Sequence, residues 1–450
     1  MKRLYISCIA VLLLTFQEAY SQAQPDSGFN ALLRNASGGW IAGDATFSFA
    51  LPEDKTLWLF GDSFIGTVNS ADSSINTGAK MIRNCAILQE GDSLVSLYGG
   101  TFANPTDFVT SLTPDSSWYW PEHGLIENDT LKIFFSEFKL GPGPAGFNFK
   151  YNAAYLARFA YPEIVLVDLT RLPYYDSNGV CYGNSVMVEN GYTYIYGRKE
   201  TDTVYHISYA HVARVPVGNI FAPWEFYNGV SWVSDPAETK KIASEAVSQQ
   251  YGVFKLNEKY VLVTQEIWFS RKIHSLTSAF LYGPYSNRKL LYQTPLLYPG
   301  TFTYNAFPHP QFNEDDELLI SYNTNGDFWG IFNNVETYRP LFIRVPFTMI
   351  DPTYVSVEEY QEKKSDSQNH VMVLQNYPNP ANTLTKVEFI VSQKEFVSLK
   401  LYSPDGKLIH TYVNKLLVPG NYHIDIDVSN LKCGIYSYQI NDTSLRLIKN

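Results

Sequence analysis

Cysteine is scarce in this sequence, which contains four cysteines in 450 residues. Cys8 lies in the apolar N-terminal run, and Cys85, Cys181 and Cys433 follow it. Three cysteines in a chain of this length do not make a disulfide framework. Cys85 and Cys181 therefore either pair in an oxidising compartment or stay buried as free thiols.

Long apolar runs are also missing after the first residues. Residues 1–21 have the form of a secretory signal peptide, with a basic start, an apolar run over residues 4–16 and a small-residue cleavage site at residues 19–21. That run is too short to span a bilayer. The sequence therefore predicts an exported chain without a membrane span.

Several signatures of catalysis are absent as well. The sequence has no Gly-rich phosphate loop, no Gly-x-Ser-x-Gly nucleophile elbow, no His-Glu-x-x-His helix and no calcium-loop pattern. Its net charge is −10, and a negative surface repels nucleic acid and anionic lipid. We therefore expect no nucleic-acid partner and no required cofactor.

The chain is rich in degenerate repeats of β-hairpins. Each unit opens on a polar residue and passes through a turn into an apolar strand, and the opening residues are Asp44, Glu122, Asn184, Glu245 and His309. The last three intervals between them are 61–64 residues long and the first is 78, as a four-stranded blade with its loops requires. Five units predict an all-β fold with a five-bladed β-propeller over residues 22–350. Either Phe342–Phe347 or Phe29–Leu33 supplies the strand that closes the ring.

The chain changes character after residue 350. Residues 351–370 are charged, polar and poor in large apolar side chains, which is typical of a linker. In residues 371–450, short alternating segments are separated by turns at Ser403–Gly406 and Pro419–Gly420. This pattern predicts a small C-terminal β-sandwich.

The same C-terminal segment carries five motifs, which are Asn376–Pro380, Val387–Phe389, Leu401–Lys407, Gly420–Tyr422 and Leu431–Tyr436. In this order they resemble the C-terminal sorting domain of the type IX secretion system. The resemblance covers residues 371–450. It implies that the chain passes through the periplasm of a Bacteroidetes-type bacterium and that the type IX machinery delivers it to the surface or beyond. The alternative is a carbohydrate-binding or adhesive sandwich.

Polar residues at the start of each repeat suggest one shared cleft. The innermost strand of each propeller blade lines the channel, so we expect the residues that open these strands to meet at one rim. Glycoside hydrolysis needs one carboxylic acid to protonate the leaving oxygen and one carboxylate as base or nucleophile. The candidate catalytic residues are Asp44, Glu122 and Glu245.

These positions are similar to those of the arabinanase and β-xylosidase class of five-bladed propeller hydrolases. In that class an Asp opens blade one, a Glu opens blade four and a His lies in blade five, as Asp44, Glu245 and His309 do here. Four further motifs resemble bacterial secreted propellers of unknown function, some of them linked to D-arabinan cleavage. These motifs are Trp58–Phe64, Tyr182–Ser185, Tyr192–Gly197 and Tyr282–Tyr285.

One position departs from the pattern of that class. The class has an orienting Asp in blade three, where this chain has Asn184 or Ser185. Either Glu122 takes over that role, or the site has lost its chemistry.

A second set of residues is expected to bind substrate, namely Asp62, His123, Asn184, His309, Trp40, Trp120 and Arg198. Structural explanations compete with this one. Asp62 follows a glycine at a strand end, where Asp commonly closes a turn, and the tryptophans are common core residues. His309 is either a hydrogen-bonded structural residue or a ligand for a cation bound in the channel.

The sequence therefore predicts a secreted glycoside hydrolase-like propeller that acts on polysaccharide or oligosaccharide, with arabinan indicated by the resemblance. The alternative is a surface propeller that binds glycan or protein without catalysis. Asn184 favours the binding protein, whereas Asp44 and Glu245 together favour the enzyme.

Overall fold

The computed structural model describes residues 22–35, 39–114, 116–142, 148–202, 206–354, 371–441 and 443–450. The predicted signal peptide and residues 355–370 of the predicted linker lie outside the described residues. The chain divides into two compact units, residues 1–354 and 355–450. The predicted domain boundaries at residues 21, 350 and 370 stay predictions.

Strands dominate the first unit, which confirms the predicted all-β class. In chain order they are β1 (Gln24–Pro25), β2 (Trp40–Gly43), β3 (Phe47–Leu51), β4 (Lys55–Phe60), β5 (Ser63–Ile65), β6 (Lys80–Ile82), β7 (Cys85–Glu90), β8 (Ser93–Leu97), β9 (Gly99–Thr101), β10 (Asn104–Thr106), β11 (Ser117–Glu127), β12 (Thr130–Leu140), β13 (Phe149–Ala160), β14 (Val165–Leu172), β15 (Cys181–Glu189), β16 (Tyr192–Asp202), β17 (Ile207–Pro216), β18 (Glu225–Tyr227), β19 (Trp232–Val233), β20 (Tyr251–Leu256), β21 (Lys259–Gln265), β22 (Lys272–Ser278), β23 (Ser286–Gln293), β24 (Phe302–Pro308), β25 (Glu317–Asn325) and β26 (Leu341–Pro346). The short helices are α1 (Ser27–Leu32), α2 (Tyr174–Asn178), α3 (Phe328–Asn333) and α4 (Phe347–Ile350), with single 3-10 turns at Leu33–Asn35, Pro236–Glu238, Pro310–Phe312 and Val335–Tyr338.

Five antiparallel sheets of four or five strands follow one another in the described part of this unit. Sheet I contains β3, β4, β7 and β8, sheet II contains β11 to β14, and sheet III contains β15 to β19. Sheet IV contains β20 to β23, and sheet V contains β24, β25, β26 and β1. Two smaller sheets, β2–β5–β6 and β9–β10, are formed by segments that flank the strands of sheet I in sequence.

A hydrophobic core lies between each sheet and the next. Leu59 of sheet I packs in one core with Ile133 of sheet II, and similar clusters join sheets II and III, III and IV, and IV and V. Trp58 of β4 belongs to a different core, which it shares with Phe342 of sheet V. Because neighbouring strand residues point to opposite faces, β4 is buried on both sides and reads as a continuous apolar run.

Sheet V takes its outermost strand from the N-terminal end of the described chain. Gln24 of β1 pairs with Arg344 of β26, while Phe29–Leu33, the segment proposed above as a closing strand, lies in α1 and the turn after it. The side chain of Asp26 accepts a hydrogen bond from the backbone N–H of Phe29 at 2.9 Å. This N-cap favours helix at that position, so the expectation of a strand at Phe29–Leu33 is wrong.

The second unit contains two antiparallel sheets. Its strands are β27 (Val371–Val373), β28 (Leu384–Val391), β29 (Glu395–Tyr402), β30 (Leu408–Leu417), β31 (Gly420–Asp427), β32 (Gly434–Ile440) and β33 (Thr443–Lys449). One sheet has the order β27–β28–β31 and the other β30–β29–β32–β33. Phe389 of the first sheet and Leu399 of the second lie in the same core, so the two sheets bury their apolar faces together.

The cysteines and the helices decide two further questions. Cys85 and Cys181 are buried free thiols that do not pair with each other, which was the second of the two alternatives considered. Cys433 is an exposed free thiol. Within the described residues, none of the helices has the length and apolar character needed to cross a membrane.

Asp26 offers a test of how strongly the N-terminal strand is held. Its carboxylate caps α1 and also binds Arg344 Nε at 2.7 Å, with both side chains nearly buried. Loss of a cap and of one partner of a nearly buried ion pair should make Asp26→Ala about 3 kcal/mol less stable or worse. Urea unfolding of the purified protein measures this difference.

Asp176→Ala is the matched control for that variant. Asp176 also makes two hydrogen bonds to an arginine, Arg171, but both side chains are exposed. An exposed pair contributes about 1 kcal/mol at most. Equal losses in the two variants would contradict a structural role for the Asp26 contacts.

Candidate active site

Asp44 and Asp62 lie together at one end of the β3–β4 hairpin. Phe47 pairs with Leu59 in the ladder, so Asp44 and Asp62, three residues further out on each strand, face each other. The backbone N–H of Asp44 donates to Asp62 O at 3.4 Å, and that of Gly61 donates to Asp44 O at 3.0 Å. The hairpin register therefore places two carboxylates at one end of sheet I.

Gly61 makes room for the Asp44 carboxylate. A Cβ built on Gly61 would lie 2.5 Å from Asp44 Oδ1, closer than any real side chain approaches. Only glycine fits at this position with Asp44 in its present rotamer.

The backbone beside Asp44 is strained. Ala45 and Thr46 have φ values of 68° and 58°, in the left-handed region that is unfavourable for a β-branched residue. The conformation is held by Gln250, whose Nε2 donates to Ala45 O at 2.5 Å, and by Thr46 Oγ1, which donates to Asn323 Oδ1 at 2.7 Å. Such strain is common at functional sites.

Asp44 is partly buried. Burial, together with the neighbouring charge of Asp62, raises the pKa of Asp44 to about 7, although the hydroxyls of Tyr304 and Tyr338 oppose the shift. Tyr304 Oη donates to Asp44 Oδ2 at 2.7 Å. Near neutral pH a large part of the population therefore carries a proton on Asp44.

Asp62 has a different set of partners. Trp120 Nε1 donates to Asp62 Oδ1 at 2.7 Å, and Arg83 Nη1 binds Asp62 Oδ2 at 3.0 Å. Burial raises the pKa of Asp62 as well, but the charge of Arg83 and both of these hydrogen bonds oppose the shift. A pair of acids in which one is protonated and the other is held by a cation is suited to acid–base catalysis.

A second polar cluster surrounds Arg198. Its Nη1 lies 3.0 Å from Glu122 Oε1 and 3.0 Å from Asn184 Oδ1, and its Nε donates to Gln249 Oε1 at 2.7 Å. Glu122 also accepts from Ser136 Oγ at 2.6 Å. The buried guanidinium of Arg198 needs partners for its charge and its N–H groups. Glu122, Asn184 and Gln249 supply them and so hold the Arg198 side chain in place. Gln249 is the chain neighbour of Gln250, which holds the loop at Ala45.

Glu245 lies apart from both groups of residues. It precedes β20 by six residues, and its Oε2 binds Arg288 of the outer strand β23 at 2.9 Å. Its side chain is 41% exposed. In the part of the chain that the structure describes, it makes no hydrogen bond or ion pair with Asp44 or Glu122. The expectation that Glu245 opens the first strand of its sheet is therefore wrong.

His309 also differs from the expected arrangement. Strand β24 begins at Phe302, and His309 follows the end of that strand, so Tyr304 meets Asp44 instead. His309 is fully buried, with Nδ1 2.5 Å from Ser48 Oγ and Nε2 2.8 Å from Ser321 Oγ. Burial and the nearby His123 lower the pKa of His309 well below its usual value.

His123 and His309 both use their two ring nitrogens in hydrogen bonds. His123 Nδ1 accepts from the backbone N–H of Val186 at 3.0 Å, so its Nε2 donates to Ser48 O at 3.1 Å. Burial lowers the pKa of His123 to about 4. Among the described residues, no group of three or more His, Cys, Asp or Glu side chains could hold a metal ion. The structure therefore does not support the cation site considered for His309.

The two tryptophans expected to stack on sugars differ in exposure. Trp40 is only 2% exposed and packs against Phe60 with ring centres 4.6 Å apart, which removes it from the sugar-binding candidates. Trp120 is half-buried beside Asp62. A groove of about 660 Å³ that Trp40 and Arg339 help to line does not include either acid.

Sequence reasoning missed four members of the acid cluster, namely Arg83, Gln250, Tyr304 and Tyr338. Arg83 is 21 residues from its partner Asp62, whereas Tyr304 is 260 residues from Asp44. Tyr338 Oη donates to Asp62 O at 3.2 Å across 276 residues. No spacing pattern connects Tyr304 or Tyr338 with the acids, and the meeting of Tyr304 with Asp44 depends on the contact between sheets I and V.

Comparison with known proteins places both units. Residues 26–376 match a family described as a domain of unknown function, DUF5005. Residues 375–450 match a secretion system C-terminal sorting domain. No curated protein matches the sequence. The sorting domain directs the chain through type IX secretion to the cell surface or the extracellular space, as its motifs predicted.

Solved structures show similar folds. The structure of a candidate hydrolase from Bacteroides ovatus has a TM-score of 0.62 and 22% identity, covering 74% of this chain and 93% of that one. An exo-β-1,3-galactanase from Phanerochaete chrysosporium has a TM-score of 0.43 and 11% identity, covering 95% and 98%. A glycoside hydrolase family 43 arabinoxylan arabinofuranohydrolase from Bacillus subtilis has a TM-score of 0.40 and 13% identity, covering 90% and 96%. The Bacteroides ovatus structure shares the fold, and the family match confirms the predicted resemblance to a domain of unknown function.

The raised pKa of Asp44 has a consequence for stability. Between pH 3.8 and about pH 7 the folded protein binds a proton at Asp44 that the unfolded chain releases, so stability falls as the pH rises through this window. Asp44→Asn removes this dependence. The variant should melt a few degrees above the unmodified protein at pH 8 and at nearly the same temperature at pH 4.

Asp168→Asn provides a control of opposite sign. A hydrogen bond from Arg158 lowers the pKa of Asp168, so its contribution to stability is present above the unfolded pKa and is lost in acid. This variant should be slightly less stable than the unmodified protein at pH 8. A melting temperature of Asp44→Asn below that of the unmodified protein at pH 8 would contradict the raised pKa of Asp44.

Proposed function

We propose that the first unit of this chain, which belongs to the DUF5005 family, is a secreted five-bladed propeller. In this proposal the propeller hydrolyses glycosidic bonds. Five sheets with a core between each neighbouring pair, including sheets V and I, support the blade count and the closure. The observation that carries the proposed activity is the pair of carboxylates at one end of sheet I, of which Asp44 binds a tyrosine hydroxyl and Asp62 binds Arg83 and Trp120.

The two acids can divide the chemistry between them. Asp44, protonated near neutral pH, donates its proton to the glycosidic oxygen as the bond to the anomeric carbon breaks. Asp62, held by Trp120 and Arg83, either takes a proton from the attacking water or attacks the anomeric carbon itself. In both cases water supplies the new oxygen, and the proton that Asp44 gave away is restored at the end.

The substrate in this proposal is a polysaccharide or oligosaccharide. The motifs shared with propellers linked to D-arabinan cleavage make arabinan the first polymer to test. Half-buried Trp120, next to Asp62, can cover one face of a sugar ring at the cleavage point. The sorting domain delivers the chain to where extracellular polysaccharide is found.

A second function has support from specific contacts. Glu122 and Glu245, the other two candidate catalytic acids, are each paired with an arginine. Glu122 binds Arg198 and Glu245 binds Arg288. Asn184 replaces the acid that the resemblance leads one to expect in the third blade. These features favour a surface propeller that binds glycan without cleaving it.

Exchange of either member of the acid pair tests the enzymatic proposal. Asp44→Asn and Asp62→Asn should each lower turnover of a polysaccharide substrate by roughly 10²–10⁴-fold, the usual contribution of an acid or base. The pH dependence of kcat/KM for the unmodified protein should be bell-shaped, with activity falling above about pH 7 as Asp44 loses its proton. Reducing-end release measures both. Unchanged turnover in Asp44→Asn would exclude this mechanism.

Glu245→Gln distinguishes this mechanism, in which Asp44 is the general acid, from the one implied by the resemblance, in which Glu245 is the general acid. If Asp44 is the acid, the variant keeps turnover within about twofold of the unmodified protein, because an exposed residue paired with Arg288 takes no part in proton transfer. If Glu245 is the acid, turnover falls by roughly 10²–10⁴-fold. Substrates with activated leaving groups would then be much less affected than natural ones.

A further inference from the structure

We infer that the acid pair lies between two aromatic subsites, so that the protein holds sugar residues on both sides of the scissile bond and cuts within a neutral polysaccharide chain. This inference rests on the proposed hydrolytic function. One subsite, the Trp arm, consists of Trp118, Trp120 and Phe149. The other, the Phe arm, consists of Trp268, Phe269 and Phe302.

The Trp arm begins at Asp62. Trp120 donates to the Asp62 carboxylate at 2.7 Å, and its ring lies 4.9 Å from Phe149 and 5.9 Å from Trp118. Trp118 and Trp120 are two residues apart on β11, so their side chains point to the same face of the strand. All three rings are half-buried, so this face of sheet II presents an aromatic surface that leads away from Asp62.

The Phe arm begins at Asp44. Tyr304, which donates to Asp44 at 2.7 Å, lies 5.9 Å from Phe269. Phe269 stacks on Trp268 with ring centres 4.3 Å apart and packs edge-on against Phe302 at 4.5 Å. Phe269 is nevertheless 36% exposed, so part of its side chain is accessible to solvent.

The two arms lie on different sides of the acids. Asp44 and Asp62 lie at one end of sheet I, which shares one core with sheet II and another with sheet V. The Trp arm is built on sheet II, while the Phe arm is built on β24 of sheet V and on the segment that follows β21 of sheet IV. A ligand that contacts both arms therefore has to cross the acid pair.

The chemistry of the arms fits a neutral sugar chain. Sugar rings present apolar C–H faces that stack on aromatic rings, while their hydroxyls remain in water. Arg83 lies 4.7 Å above the Trp118 ring, but its charge is balanced by Asp62 at 3.0 Å. Arg83 is thus paired where it contacts the ring, which favours a neutral sugar over an acidic one at Trp118.

Phe269→Ala tests the Phe arm at a residue that itself binds neither acid. Affinity electrophoresis in linear arabinan, arabinoxylan and β-1,3-galactan first identifies the polymer that retards the chain. Assays then use the disaccharide and progressively longer oligosaccharides of that polymer. The variant should lower kcat/KM on the long oligosaccharides by roughly 5- to 100-fold, the effect of one lost stacking contact, with the disaccharide unaffected.

Two further variants serve as controls. Phe269→Tyr keeps the ring and should behave as the unmodified protein does. Phe280→Ala removes another exposed phenylalanine, at the other end of sheet IV, and should change neither retardation nor kcat/KM. The unmodified protein should also lower the viscosity of the polymer faster than reducing ends accumulate, because cuts within a chain shorten it most.

The outcomes separate this inference from the proposed function. Equal losses on short and long substrates in Phe269→Ala, or no loss at all, would overturn the Phe arm while hydrolysis stands. Release of sugars from chain ends alone would overturn the two-sided cleft. Retardation without cleavage that weakens in Phe269→Ala would reject hydrolysis but support the two arms as a binding surface. A protein that none of the three polymers retards would contradict both.

Discussion

The close approach of two carboxylates at one end of a hairpin is the constraint on which the candidate site depends. Two like charges in a partly dry place are unfavourable unless one is neutralised or both are paired. In this chain the charge of Asp44 is neutralised by a proton up to about pH 7, and the charge of Asp62 is paired with Arg83. Gly61 lets the Asp44 carboxylate lie against the backbone. The hairpin brings the two carboxylates close together, but the side chains that stabilise them come from other parts of the chain.

Those partners come from the sheets on either side. Trp120 reaches Asp62 from sheet II, and Tyr304 reaches Asp44 from sheet V. The core that Trp58 shares with Phe342 brings sheets V and I together. The pKa of Asp44 is thus a property of the whole arrangement of sheets, because it depends on residues 260 positions apart being in contact.

The sequence predicts most of the fold and part of the site. Strand alternation and turn spacing identify the hairpins, and both acids of the pair were among the candidates because each lies at a strand end. Glu245 and His309 are expected to open strands because each is the polar residue that begins a repeat unit, and that expectation fails because β20 starts at Tyr251 and β24 at Phe302. The intervals vary because the loops between strands vary, and alternation carries no information on loop length. Tyr304 and Tyr338 could not be found, since contact between segments so distant in sequence leaves no local pattern. Arg83 is only 21 residues from Asp62, but no local pattern pairs it with that acid.

Asn184 gains a physical explanation from its neighbours. Arg198 Nη1 contacts both Glu122 Oε1 and Asn184 Oδ1 at 3.0 Å. A carboxylate at position 184 would place a second negative charge on the same nitrogen, in a cluster where Asn184 is fully buried. A second buried carboxylate would need a further partner or a proton, and Glu122 already pairs with Arg198. The amide at position 184 fits this cluster, because it contacts Arg198 without adding a negative charge.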